Sequence, residues 1–166
     1  MTTSNKINFS ELIKRPVCFL GLGFGSGLAP KAPGTFGTLA AIPLYYLMSD
    51  LNLAWYLAII VLGFIAGVWI CQKSAQWIGG EDPSAVVWDE IIGYLITMIA
   101  APAGWQWLVL GFVLFRFFDI LKPWPISLAD RGLHGGFGIM VDDVIAGVFA
   151  WICLQWIYYV FPTISW

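Results

Sequence analysis

Charge is what this 166-residue chain has least of. Charged residues make up 11% of it and hydrophobic ones 60%, where a soluble domain carries roughly 25% and 45–50%. A water-soluble fold of this size has too little interior to hide so much apolar surface. Lipid must cover the remainder. The eight basic residues face ten acids, for a net charge of −2, so the basic footprint that draws a protein to nucleic acid is missing. Cysteine is scarce too: Cys18, Cys71 and Cys153 form no CxxC or CxxxC spacing, which argues against a zinc site or a disulfide framework and for simple packing. Lys14 and Arg15 precede a long apolar stretch, as in a signal peptide, but that stretch is glycine-rich and no A-x-A follows it. The chain reads as one domain, residues 1–166.

What is present in quantity is apolar runs. A transmembrane helix needs about 20 mostly apolar residues, and four to five segments come close: 36–49, 53–71, 86–101, 105–121 and 141–161. The first is short and contains Pro43, so it reads as a tilted, kinked or re-entrant piece. The expected fold is an all-α polytopic membrane protein, a compact bundle of four to five transmembrane helices. Residues 1–33 form a cytoplasmic N-terminal segment and 122–140 a cytoplasmic loop. With five spans, all eight basic residues fall on one side, which the positive-inside rule makes cytoplasmic. Of the ten acids only Asp50 lands on the other side.

Three constellations carry chemistry. The first is acidic: Asp89 and Glu90 open the third segment, Asp119 closes the fourth, and Asp142 and Asp143 open the fifth. Five carboxylates at one membrane level repel unless a cation or water separates them, and magnesium favours such oxygen ligands together with phosphate oxygens. The helix dipole accounts for an acid at a helix start, but not for Asp119 near a helix end. WDEIIGYLI and VDDVIAGVF resemble each other, an acid pair followed one turn later by Gly93 or Gly147, where glycine allows close approach. The second constellation, APKAPGTFGT at 29–38, offers Lys31, amides around Gly34, and the hydroxyls of Thr35 and Thr38 just before a helix. Amides so placed bind phosphate, and a capped glycine-proline turn gives the same pattern. The third, residues 115–143, supplies Arg116, Lys122, Arg131 and the single histidine, His134, near the acids. Arginine forks onto phosphate oxygens, lysine acts as a point charge, and histidine moves protons near neutrality. A solvated loop with paired cations is the plainer alternative.

The ordered set APGTFGT, WDEIIG, FRFFDILKPWPI and DRGLHGGFGIMVDDVIAG, over roughly residues 18–150, resembles phosphatidylglycerophosphatase A. The resemblance implies a multi-pass enzyme of the bacterial inner membrane in phospholipid biosynthesis. It would take the terminal phosphate from phosphatidylglycerophosphate at the cytoplasmic face, with magnesium as cofactor. Asp89, Glu90, Asp119, Asp142 and Asp143 match the family's acidic motifs, and Gly34, Thr35, Lys122 and Arg131 match neighbouring positions. The expected division of labour puts Asp119, Asp142, Asp143 and Asp89 on metal. Glu90, Asp89, Lys122 and Arg131 do the chemistry, and Lys31, Gly34, Thr35, Thr38, Arg116 and His134 hold the substrate phosphate.

Other phosphatase chemistries fit poorly, since neither a CxxxxxR loop nor DxDx[TV] is present. A headgroup phosphotransferase would also use membrane-face aspartates, but its DGxxAR pattern is missing. A small transporter should carry ionisable residues at mid-depth, where these segments show none. Oligomeric state and acyl-chain preference stay open.

Overall fold

The computed structural model describes residues 9–80 and 82–161, with the side chains of Asp130 and Arg131 excepted. Among these residues all regular structure is helical: α1 (Phe9–Ile13), α2 (Pro16–Gly21), a 3₁₀ segment (Gly23–Leu28), α3 (Pro33–Met48), α4 (Leu53–Ile78), α5 (Trp88–Thr97), α6 (Trp105–Leu121), α7 (Ile126–Gly132) and α8 (Gly135–Val160). The boundaries follow local chemistry. Pro33 opens α3 at the first helical position, where its missing N–H costs nothing. The Asn52 side chain caps α4 by accepting from the Trp55 amide at 3.1 Å. Lys122, with a left-handed backbone, and Pro123 stop α6.

α3, α4, α5, α6 and α8 run alternately up and down. The start of α3, the start of α5 and the end of α6 meet around one cavity, as shown by its lining by Gly34, Glu90 and Asp119. The α3–α4 turn and the α5–α6 turn meet at the opposite end, where Ser49 and Ala101 line a shared pocket. α4 and α8 are long and apolar enough to cross a membrane. Leu57, Val61, Leu62 and Ile65 of α4, with Val113 of α6 and Ile152 of α8, form an exposed apolar coat.

Two segments differ from the sequence expectation. The run 86–101 was expected to span, but its helix covers only Trp88–Thr97, about 15 Å at roughly 1.5 Å per residue. α5 is instead the buried centre of the bundle, packed against α3, α4, α6 and, most extensively, α8. Ending a helix in an apolar interior strands carbonyls at and just past its end, and side chains of neighbouring helices take some of them. The Tyr56 hydroxyl donates to the Leu95 carbonyl at 2.8 Å, and the Trp151 indole and Gln155 amide donate to Ile99 at 3.0 and 2.9 Å.

The second difference is at the start of the last helix. Asp142 and Asp143 were expected to open it, yet α8 begins at Gly135, so they lie about two turns inside (~3.6 residues each). The glycine-rich lead-in is helical because it packs on α4: the Gly136 amide donates to Gln72 Oε1 at 2.7 Å, and a Cβ at Gly136 would strike the Val68 carbonyl. Residues 122–140 are therefore not one loop but contain α7 and the first turns of α8. α4 likewise runs on past residue 71 to Ile78, placing Lys73 within the helix.

Candidate functional site

The crossing of α5 and α8 assembles the acids. Gly93 and Gly147 face each other there, and a Cβ on either would run into the other helix's backbone. Asp89 and Asp143 each stand four residues, about one turn, before their glycine. The close crossing therefore brings both acid pairs to the same level. The Thr97 hydroxyl bridges the junction, donating to the Gly93 and Gly147 carbonyls at 3.0 and 3.4 Å.

The result is a cluster of nearly enclosed carboxylates: Asp89 is 8%, Asp142 6% and Asp143 3% exposed. Carboxylate oxygens of Asp89, Glu90 and Asp143 lie within 4.8 Å of one another. Asp89 Oδ1 and Glu90 Oε2 are buried with no hydrogen-bond partner. Asp89 adjoins Glu90, and Asp119 of α6 adjoins Asp143. The dipole explanation fails for Asp142 and Asp143, because no acid lies in the first turn of α8.

Two cations answer this charge, one in α6 and one at its C-terminal cap. Arg116 Nη1 pairs with Asp119 Oδ2 at 2.5 Å and stands 3.8 Å from Glu90 Oε1. Lys122 Nζ reaches Asp142 Oδ2 at 2.6 Å. Gly34 of α3 roofs the Arg116–Glu90 pair, and a Cβ there would meet both side chains. The need for glycine at that position is thus one of space.

These groups line one cavity of about 260 Å³. Six carboxylates face two cations around it, a formal charge of −4, because Asp82 joins the five acids expected from sequence. Asp82 belongs to the α4–α5 connection, and its signal was an acid in GGEDPS, a glycine- and proline-rich stretch that reads as solvated loop. A smaller cavity of about 110 Å³ adjoins the first, sharing Asp82 and Asp142 and adding His134.

The remaining expected positions are distributed as follows. Asp89, Glu90, Asp119, Asp142, Asp143, Arg116, Lys122 and Gly34 come together in the larger cavity. His134, the residue preceding α8, lines only the smaller one. Thr38 is fully buried, and its hydroxyl donates to the Gly34 carbonyl at 2.9 Å, one turn back. Thr35 is half-buried and Lys31 exposed, and neither is among the cavity's lining residues. The Arg131 side chain lies outside the described residues. Cys18, Cys71 and Cys153 are all free thiols, in keeping with a packing role.

Comparison with known proteins meets this geometry from another direction. A family model for phosphatidylglycerophosphatase A matches residues 19–158. An Escherichia coli K12 protein named phosphatidylglycerophosphatase A is 50% identical over 82% of the chain and 80% of its own length. A Haemophilus influenzae protein of the same name is 44% identical over 96% of the chain and 98% of its own. A Bacteroides thetaiotaomicron protein, named provisionally as a phosphatidylinositol-3-phosphatase, is 44% identical over 86% and 95%. No solved structure matches the chain. On the extent of these matches, the chain belongs to the phosphatidylglycerophosphatase A family.

Proposed function

We propose that this lipid phosphatase hydrolyses the terminal phosphate monoester of phosphatidylglycerophosphate, giving phosphatidylglycerol and phosphate. It works with magnesium at the cytoplasmic face of a bacterial inner membrane. The observation that carries the reading is the convergence of six carboxylates with Arg116 and Lys122 on one cavity at one end of an apolar bundle. The family and the names of two relatives supply the substrate. The phosphotransferase and transporter alternatives have no counterpart among these relatives.

The donor set fits magnesium. Its ligand oxygens lie roughly 2.0–2.1 Å from the ion, so oxygens sharing one ion stand at most about 4.2 Å apart. The Asp89, Glu90 and Asp143 oxygens, within 4.8 Å of one another, need only a small closure. The partnerless Asp89 Oδ1 and Glu90 Oε2 and the excess of negative charge also call for a cation. Asp89, Glu90 and Asp143 would hold it, and it would supply Lewis-acid polarisation of the phosphoryl oxygens. Two carboxylates assigned to metal on sequence grounds take other duties in this reading: Asp119 orients Arg116, and Asp142 holds Lys122 over the cavity.

The chain's own groups do the rest. Arg116 and Lys122 stabilise the charge that builds on the phosphoryl oxygens in the transition state, where fixed cations act without reorganising. Glu90 takes the proton of the attacking water on the carboxylate oxygen that it does not give to the cation. Gly34 keeps the start of α3 from filling the space the phosphate needs.

Orientation belongs to the same proposal. α3, α4, α6 and α8 cross the bilayer and α5 fills the centre, with the cavity at the end that carries the basic residues. The inner membrane is the site expected for a bacterial chain so oriented.

The test is phosphate release by purified protein from phosphatidylglycerophosphate in mixed micelles, with magnesium and with chelator. Magnesium-dependent release is expected. Release from a phosphatidylinositol phosphate but not from phosphatidylglycerophosphate would transfer the assignment to the headgroup named for the Bacteroides relative.

A further inference from the structure

The larger cavity accounts for a phosphate, but a monoester also has an alcohol side, which must leave in some direction. The ester oxygen stays bonded to its carbon when the P–O bond breaks, so the polyol fragment has to lie against the protein beside the phosphate site. The smaller cavity is the adjoining space. It shares the walls formed by Asp82 and Asp142 with the phosphate cavity, and continues past them to Leu133, His134 and Ile139. Those walls differ in chemistry from the phosphate cavity. Arg116, Lys122 and the Asp89–Glu90 pair are absent from them, so the smaller cavity has no cation cluster for a second phosphate.

What it has suits a polyol. The Asp82 and Asp142 carboxylates accept hydrogen bonds from hydroxyls, and the His134 imidazole both donates and accepts. Leu133 and Ile139 offer apolar surface to C–H groups. The volume, about 110 Å³, is several times the roughly 10–15 Å³ that one water needs on the same measure. That is room for a small polyol. We propose that this cavity is the headgroup-alcohol subsite, which holds the polyol portion of the phosphomonoester and selects substrates by it. The inference rests on the phosphatase reading above and deepens it. His134, which the sequence grouped with the phosphate ligands, thereby serves the alcohol instead. It and Asp142, about two turns apart along α8, line the same cavity, and Lys122, the partner of Asp142, faces the phosphate.

Soluble fragments separate this inference from the parent reading, because they report binding whether or not the lipid is hydrolysed. Calorimetric titration of the full-length protein in detergent and magnesium would compare glycerol phosphate with methyl phosphate. Both carry the same monoester, and only one carries a polyol. The wild type should bind glycerol phosphate about tenfold more tightly, equivalent to about 1.4 kcal/mol. Leu133→Trp, at a half-buried position between α7 and α8, should fill the cavity and erase the preference while methyl phosphate binds as before. His134→Ala, at an exposed position whose side chain makes no cap hydrogen bond to α8, should reduce the preference severalfold. If the Leu133→Trp protein fails to fold, the wild-type ratio and His134→Ala still decide. Equal binding of the two fragments by the wild type, or a preference that survives both substitutions, overturns the subsite. A retained polyol preference without phosphate release from phosphatidylglycerophosphate would sink the parent reading and leave the subsite standing.

Discussion

Gly147 of α8 lies against the carbonyl of Gly93 in α5, with no room for a methyl group between them. This contact sets the distance between the two helices and hence between Asp143 and the Asp89–Glu90 pair, one turn away. Gly147→Ala should therefore act on stability and chemistry together. Overpacking of this kind costs about 1–3 kcal/mol, which should appear as a lowered Tm in detergent, with phosphate release reduced at least tenfold. Gly132→Ala is the control, since a Cβ there meets open space. It should leave both quantities unchanged. Normal activity in Gly147→Ala would mean that the acids do not depend on the crossing.

Lys122 and Asp142 form the second coupled pair, at 2.6 Å. Removing one member strands the other's charge in a mostly enclosed place, a loss of up to about 3 kcal/mol here given the partial exposure of the lysine. Lys122→Met alone should destabilise the protein and lower kcat/KM by one to two orders of magnitude. Adding Asp142→Asn should recover most of the stability, because no bare charge remains, but not the activity, because the cation facing the phosphate is gone. A double-mutant cycle on Tm and on kcat/KM reads the two effects separately. Recovery of both would make Lys122 a structural counter-ion only.

The bonds that close α5 provide a contrast. Tyr56→Phe deletes the hydroxyl that donates to Leu95 and leaves a buried carbonyl unpaired, at a cost of about 1–3 kcal/mol. It lies at the opposite end of α5 from the acids. A lower Tm with kcat and KM near wild type is expected. A collapse of kcat instead would tie the far end of α5 to the chemistry.

Orientation is tested by cysteine labelling in a background free of Cys18, Cys71 and Cys153. A cysteine at Asp50, in the exposed α3–α4 turn, should react from outside intact cells. Cysteines at Lys73 and His134 should be protected until the membrane is opened. Labelling of position 134 from outside would place the cavity away from the cytoplasmic pool of substrate. The Trp166 end, expected outside with Asp50, falls beyond the described residues.

The reach of the sequence can be followed through these elements. The bounds of α6, 105–121, were legible because Gly104 and Pro123 punctuate a run that is apolar but for Gln106, Arg116 and Asp119 near its ends. α5 was not, because nothing local ends a helix at Thr97. It stops where Tyr56 takes the Leu95 carbonyl and Trp151 and Gln155 take that of Ile99 just beyond it, all three distant in sequence. The start of α8 was hidden because GGFG has a loop's composition, and only its packing on α4 makes it helical. In the site, five acids announced themselves as charges in an apolar chain, whereas Asp82 looked like one more loop acid. Which carboxylates gather on a metal depends on how the helices are rotated against one another, whereas the Arg116–Asp119 pair, three residues apart on α6, lies at a spacing that sequence offers. Asp119 was assigned to metal because the dipole does not account for an acid near a helix end, and the structure adds that it also pairs with Arg116.

Asp119 and Asp143 are neighbours with different expected duties, and magnesium separates them. Asp143 belongs to the oxygens gathered within 4.8 Å, and Asp119 pairs through Oδ2 with Arg116. Asparagine keeps the size of either side chain and removes its charge. Asp143→Asn should weaken magnesium binding at least tenfold by calorimetry and raise the magnesium needed for half-maximal activity to match. Asp119→Asn should change magnesium binding less than threefold, because Arg116 rather than the ion loses its partner. Its kcat should still fall about 100-fold or more, as expected when ~2.7–4 kcal/mol of preorganised transition-state stabilisation is lost. Raising magnesium should restore part of the Asp143→Asn activity and none of the Asp119→Asn activity. Equal loss of magnesium affinity in both variants would make Asp119 a ligand, as its position in the sequence first suggested. Arg116 would then be held by Glu90 alone across 3.8 Å.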